Sequence, residues 1–183
     1  MGLGHDVTGM QTWERAVRAS GPPISDAERS ASLCSPSSPA GVGLFGEYFG
    51  QAGLRGTPVL TRIDEVIDFD ESFDWPASSD LPRARSIRWT GWVRTPFPGR
   101  YRFHLAAVNT RISVSRQIVA ENGISISDGI DLVVGRYYPI AVEIESLPAG
   151  VANFRLEWTA PFGARYIVPK PLLYLPTERM SRT

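Results

Sequence analysis

The densest chemistry in this sequence is a run of acids. The stretch RIDEVIDFDESFD (62–74) gathers Asp64, Glu65, Asp68, Asp70, Glu71 and Asp74. Carboxylates this close could hold calcium or a basic partner. The run lacks the ligand spacing and the turn glycine of an EF-hand loop. Alternation predicts Ile63, Val66 or Ile67, and Phe69 inward and the acids outward, as a solvated acidic edge. A second group, Glu121, Asp128 and Asp131, flanks NGISISDG. Two carboxylates could serve as the acid and nucleophile of a glycosidase, but no neighbouring motif points to a pocket. Nucleophilic catalysis has little to work with. His5 and His104 are the two histidines, and there is no Gly-x-Ser-x-Gly and no phosphate-cradling glycine loop. The single cysteine, Cys34, lies in a Ser/Pro tract, so there is no intrachain disulfide and no Cys/His spacing of a zinc site. The sequence therefore predicts no enzyme, no metal site and no cofactor.

Binding chemistry is better represented. Trp75, Trp89, Trp92 and Trp158 could stack on sugars. Alternation puts Trp89 and Trp158 on inward faces and Trp92 opposite Trp89, which makes Trp92 the candidate for a contact surface. Arg83, Arg85 and Arg88 recur in DLPRARSIR (80–88), where they could pair with the acidic run or dock an acidic partner. Lysine plus arginine equals aspartate plus glutamate at 19 each, so net charge gives no reason to expect nucleic acid or an acidic membrane as partner. Lys170 is the sole lysine, and the rest of the cationic set is arginine, the better residue for stacked and bidentate contacts.

The elements that must position these residues are strands. SIRWTGWV alternates Ile87, Trp89, Gly91 and Val93 against Arg88, Thr90 and Trp92. YRFHL places Tyr101, Phe103 and Leu105 on one face. RISVS does the same with Ile112 and Val114, YYPIAVEIE with Tyr138, Ile140, Val142 and Ile144, and FRLEW with Phe154, Leu156 and Trp158. Period-two alternation, punctuated by turns such as TPFPGRY and the Asn122-Gly123 pair, predicts an all-β antiparallel sandwich or barrel. Residues 1–42 differ. Met10, Trp13 and Val17 follow a capping-box spacing from Thr8 to Gln11, which predicts one short helix over 9–19. The Pro/Ser-rich segment 21–41 reads as a linker. The start lacks a basic, then apolar, signal-peptide pattern, and no apolar run is long enough for a membrane span.

The order of these pieces resembles the PA-fourteen domain family, named after the N-terminal region of anthrax protective antigen and found in yeast flocculins, epithelial adhesins and glycosidase inserts. GLFGEYF (43–49) resembles its opening Gly-Leu-x-x-x-Tyr-Phe. IRWTGWVRTPFPGRYRFHL (87–105) resembles its Arg-Trp-x-Gly and Pro-x-x-Gly-x-Tyr-x-Phe stretch, and DLVVGRYYPIAVEI (131–144) its Leu-x-x-Gly-x-x-Tyr-Pro-Ile. TPVLTRIDEVIDFD, FRLEWTAP and PLLYLP follow in family order, so the resemblance covers residues 43–176. It implies a β-sandwich barrel and, in the lectin members, a calcium site on a loop of consecutive aspartates followed by glycine. Here the corresponding loop reads AAVNT (106–110). Ala107, Val108 and Asn109 stand where the acids would be, and Thr110 where the glycine would be. Asn109 offers one neutral oxygen, which does not hold calcium against water.

These readings predict a helical tail with linker (1–42), a PA-fourteen-type sandwich (43–176) and a short C-terminal tail (177–183). The function expected is a non-catalytic interaction module, a structural or adaptor subunit anchored in a larger assembly by its tail. Its partner-binding residues would be Trp13, Arg83 and Arg85. The alternative is a lectin-like adhesion module without the calcium pair, binding glycan through Asn109, Trp92 and Asn122. The compartment expected is intracellular or assembly-associated, as in a cilium, a virion-like spike or a surface fibre, rather than conventional secretion.

Overall fold

The computed structural model describes residues 40–69, 84–126, 128–147 and 154–176. The helix expected over 9–19, Trp13, Trp75, Arg83 and the C-terminal tail lie outside the described residues. The strands are β1 (Leu44–Phe49), β2 (Pro58–Asp64), β3 (Asp68–Phe69), β4 (Ser86–Arg94), β5 (Gly99–Leu105), β6 (Thr110–Val114), β7 (Gln117–Glu121), β8 (Ile124–Ser125), β9 (Ile130–Leu132), β10 (Tyr137–Ile144), β11 (Phe154–Thr159), β12 (Arg165–Ile167) and β13 (Leu173–Tyr174). Among the described residues a 3-10 turn, Lys170–Leu172, precedes β13 where Pro169 and Pro171 fix the backbone.

Two antiparallel sheets result. The larger has the order β2-β1-β4-β10-β6-β7-β8, with β13 also on β4, and the smaller has the order β12-β11-β5-β9, with β3 on β11. The inward faces are those that the alternation predicts. Ile87, Trp89, Val93, Ile112, Val114, Val142 and Ile144 of the larger sheet meet Tyr101, Phe103, Leu105, Leu156 and Trp158 of the smaller, each at most 1% exposed. The rings interlock. Trp89 stacks on Phe69 with centroids 5.9 Å apart, and Trp158 lies 4.8 Å from Tyr101 and 5.8 Å from Phe103.

Two glycines permit close approach. A Cβ on Gly91 would stand 2.2 Å from the Tyr174 carbonyl oxygen, so β13 can lie beside β4 only with glycine there. A Cβ on Gly46 would stand 2.6 Å from Asp64 Oδ2.

That carboxylate corrects the reading of the acidic run. Asp64 points inward and is 6% exposed, whereas Ile63 points out and is 50% exposed. The reason is charge-assisted pairing. Asp64 accepts hydrogen bonds from the Tyr48 hydroxyl at 2.6 Å and Trp89 Nε1 at 2.7 Å, and Arg62 Nε lies 2.7 Å from its other oxygen. Arg62 also lies over the Tyr48 ring at 4.8 Å. Burial, then the Asp64 charge, pushes the Tyr48 hydroxyl well above its ordinary pKa. The other described acids of the run do face solvent. Glu65 pairs with Lys170 and Asp68 with Arg155, both at 2.6 Å. Arg88 pairs not with this run but with Glu143, its cross-strand partner, at 2.9 Å.

Candidate functional site

β5 ends at Leu105 and β6 begins at Thr110, so the uncharged loop spans the tip between them. It is internally tied. The Ala107 N–H donates to the Leu105 carbonyl at 2.8 Å, and the Thr110 hydroxyl donates to the Ala107 carbonyl at 2.9 Å. Asn109 takes φ +54°, a left-handed conformation that asparagine tolerates better than branched residues.

The second turn is Asn122-Gly123, with φ +52° and +78°, the two positive values of a two-residue hairpin joining β7 to β8. It leans on the first. The Asn122 N–H donates to the Thr110 carbonyl at 2.8 Å, and the Gly123 Cβ position lies 3.5 Å and 3.6 Å from the carbonyl oxygens of Leu105 and Ala107.

The structure therefore brings Asn109 and Asn122, both exposed, to one corner of the sandwich. Arg85 belongs to the same end. Its carbonyl accepts from the Leu147 N–H and the Asn109 carbonyl from the Glu145 N–H, each at 2.8 Å. Arg85 is exposed, and no ion pair engages it among the described residues. Trp92 does not join this end, and its expected exposure is overturned. It is 8% exposed, walled by its cross-strand neighbours Pro139 on β10 and Tyr174 on β13. Its indole N–H meets no acceptor among the described residues.

The corner carries exposed apolar side chains, and its carboxylates are paired. Val108 is 59% exposed and Ile124 70%. Exposed isoleucines continue from it along β7 and β8, with Ile118 and Ile126 at 46% and 53%. The carboxylates that border it, Glu121 and Glu145, are both held by Arg111, at 3.0 Å and 3.7 Å. These pairs raise the Arg111 pKa, chiefly through the hydrogen bonds it donates to Glu121.

Of the acids considered for glycosidase chemistry, Asp128 and Asp131 both lie near Arg100, away from Glu121. Glu121 is at this corner. Asp131 is at the far end of β5, where Arg100 donates to it from Nε and Nη2 at 3.2 Å and 2.7 Å and holds its carboxyl below the ordinary range. His104 lies on the outer face of the smaller sheet, with Nε2 2.9 Å from the Thr159 hydroxyl. Its pKa is lowered, first by burial and then by Arg165. Sequence reasoning missed Arg111. Its signal is the pairing of opposite charges at matched positions on neighbouring strands, which appears only once the register is known.

Comparison with known proteins gives this geometry its context. The family profile described as the PA14 domain matches residues 41–170. The anti-sigma-I factor RsgI3 of Acetivibrio thermocellus is 30% identical over 139 residues, covering 72% of this chain and 21% of that protein. An anti-sigma factor domain-containing protein from Clostridium clariflavum superposes with a TM-score of 0.58 at 28% identity, over 73% of this chain and 47% of the other. The PA14 domain of the antifreeze protein MpAFP shares the fold, with a TM-score of 0.58 at 17% identity over 79% of this chain and 96% of the other. The chain thus spans about a fifth of RsgI3 and about half of the solved anti-sigma chain.

Proposed function

The chain belongs to the PA14 domain family, and on that premise we propose that it is a non-catalytic interaction module that docks a protein partner within a larger assembly. The contact is the corner formed by the 106–110 loop and the Asn122-Gly123 turn. One observation carries this reading: the loop has no charged side chain, and Val108 and Ile124 project from the corner, with the bordering carboxylates already engaged by Arg111. A site built for calcium and sugar hydroxyls needs free carboxylates. A protein contact needs exposed apolar anchors with a polar rim, and here Asn109, Asn122 and Arg85 supply the rim. The proteins named as anti-sigma factors are longer than this chain, which supports the role of one recognition unit among several. Residues 1–42 serve as the attachment.

The test is affinity capture from the native source with three baits: the full chain, a chain starting at Gly43, and the full chain with Val108→Asp and Ile124→Asp. Recovery of a defined protein by the first, and its loss from the third, is the expected result. Loss from the Gly43 chain assigns the tail its anchoring part. Equal recovery by the first and third baits overturns the corner. Recovery by none, with retention of a neutral glycan by the full chain, replaces this reading with the lectin-like one.

A further inference from the structure

The opposite end of the sandwich carries a different chemistry, which the neutral net charge conceals. Four turns meet there. They join β4 to β5, β6 to β7, β9 to β10, and β11 to β12. Register places them together. Tyr137 is opposite Arg94, the Ser115 N–H donates to the Pro139 carbonyl at 2.8 Å, and Gly99 is opposite Leu132. A Cβ on Gly99 would stand 2.7 Å from the Pro161 ring, so the first and last of these turns are in close contact.

Each turn projects either a large apolar side chain or an arginine. Phe97 is 52% exposed, Phe162 61% and Val134 42%. The two phenyl rings pack edge to face at 5.6 Å and 83°. Arg94, Arg116 and Arg136 lie at the same end, and none forms an ion pair among the described residues. Arg94 lies over the Tyr137 ring at 5.6 Å. Of the described acids toward this end, Asp131 is held by Arg100 at 2.7 Å, and Asp128 lies beside Arg102, which donates to its backbone carbonyl at 3.1 Å. Positive charge is therefore left over at this end.

We propose that this tip docks on an anionic lipid surface. The apolar groups sit on projecting turns rather than in a groove, so they suit a medium that accepts rings without a shaped pocket. The headgroup and acyl boundary of a bilayer is such a medium. The unpaired arginines complement anionic headgroups, and a membrane surface attracts clustered cations of this kind within a Debye length. The turns are already fixed. Tyr101 donates to the Phe97 carbonyl at 2.9 Å and the Gly163 N–H to the Ala160 carbonyl at 2.9 Å, so docking orders little that is not ordered before. This inference is independent of the corner, which lies at the other end of β5.

The test is co-sedimentation of the full chain with sucrose-loaded vesicles of phosphatidylcholine alone and of phosphatidylcholine with phosphatidylserine. The chain is expected to sediment with the phosphatidylserine vesicles at least about tenfold more than with phosphatidylcholine alone, and to be released as salt shortens the Debye length. Phe97→Ser with Phe162→Ser, checked for an unchanged melting temperature, abolishes sedimentation. Arg116→Glu with Arg136→Glu does the same through charge and does not touch the turns that hold the rings. Asn109→Ala with Asn122→Ala leaves it intact. A chain that stays in the supernatant with phosphatidylserine vesicles overturns the proposal, as does sedimentation that survives both tip variants. Retention on immobilised polyglutamate without vesicle binding also overturns it and assigns the tip to an acidic protein.

Discussion

The indole N–H of Trp89 donates to the buried carboxylate of Asp64 over 2.7 Å. The same carboxylate receives Tyr48 at 2.6 Å and pairs with Arg62 at 2.7 Å, so one acid satisfies three donors drawn from three strands. Removing it takes the acceptor from the fully buried Trp89 indole N–H and breaks the Tyr48 and Arg62 contacts at the same point. Asp64→Ala is therefore expected to cost about 3–5 kcal/mol, the range for breaking one partner out of a buried ionic network. Trp89→Phe, which removes one donor and keeps most of the ring, is expected to cost about 1–3 kcal/mol. Urea unfolding of both variants checks the order. A loss below 1 kcal/mol for Asp64→Ala contradicts the network.

Gly91 carries a steric prediction. Its Cβ position lies 2.2 Å from the Tyr174 carbonyl oxygen and 2.7 Å from a Leu44 methyl. Gly91→Ala forces β13 away from β4 and exposes Leu173, which is fully buried. Overpacking of this kind costs about 1–3 kcal/mol. Hydrogen exchange at Leu173 and Tyr174 should quicken before the rest of the sheet loosens. Uniform protection across β4 and β13 in the variant counts against the close approach.

Much of this fold was legible in the sequence because strand alternation is a local signal. Trp89, Tyr101, Phe103, Val142 and Trp158 point inward as their spacing predicts. What escaped depends on register, which the hydrophobic pattern leaves open wherever both faces are covered. Asp64 reads as solvated until its neighbours Tyr48 and Trp89 are placed around it. Trp92 reads as exposed until β10 and β13 wall it in. At the corner, the turn signal of Asn122-Gly123 was plain, but its packing against the 106–110 loop was not. The segregation of arginines and phenylalanines to the opposite end is invisible to net charge, because it depends on which turns share an end.

His104 makes stability depend on pH. Burial and the positive charge of Arg165 lower its pKa from 6.5, and Arg102 adds to this while Glu157 opposes it. The folded state thus holds the imidazole neutral at a pH where the unfolded chain already protonates it. The contribution is fully present above about pH 6.5 and is lost as pH falls from there through the folded pKa. Below that it stays constant. The lowered Asp131 carboxyl acts only further down, in the carboxylate range. His104→Asn should flatten the melting-temperature profile just below about pH 6.5, the ordinary histidine range. A wild-type profile that is flat there, or one that rises toward acid, refutes the assignment.

Calcium supplies the last prediction. The 106–110 loop contributes backbone carbonyls and the Asn109 amide, and the neighbouring carboxylates Glu121 and Glu145 are drawn to Arg111 at 3.0 Å and 3.7 Å. A divalent cation entering the corner would meet that guanidinium with no free carboxylate to offset it. Calcium binds N but not U only if a site exists, and saturation at a hundred times Kd would add about 2.7 kcal/mol of stability. The melting temperature is expected to be the same in millimolar calcium and in chelator. Arg111→Ala releases both carboxylates beside Asn109. Because the pairs it breaks are half-exposed, it should cost only about 0.2–1 kcal/mol per pair. In that variant alone, calcium is expected to raise the melting temperature. A calcium-dependent shift in the wild-type chain would mean that ligands are drawn from elsewhere in the corner, and the protein-contact reading of that corner would yield to a metal-assisted one.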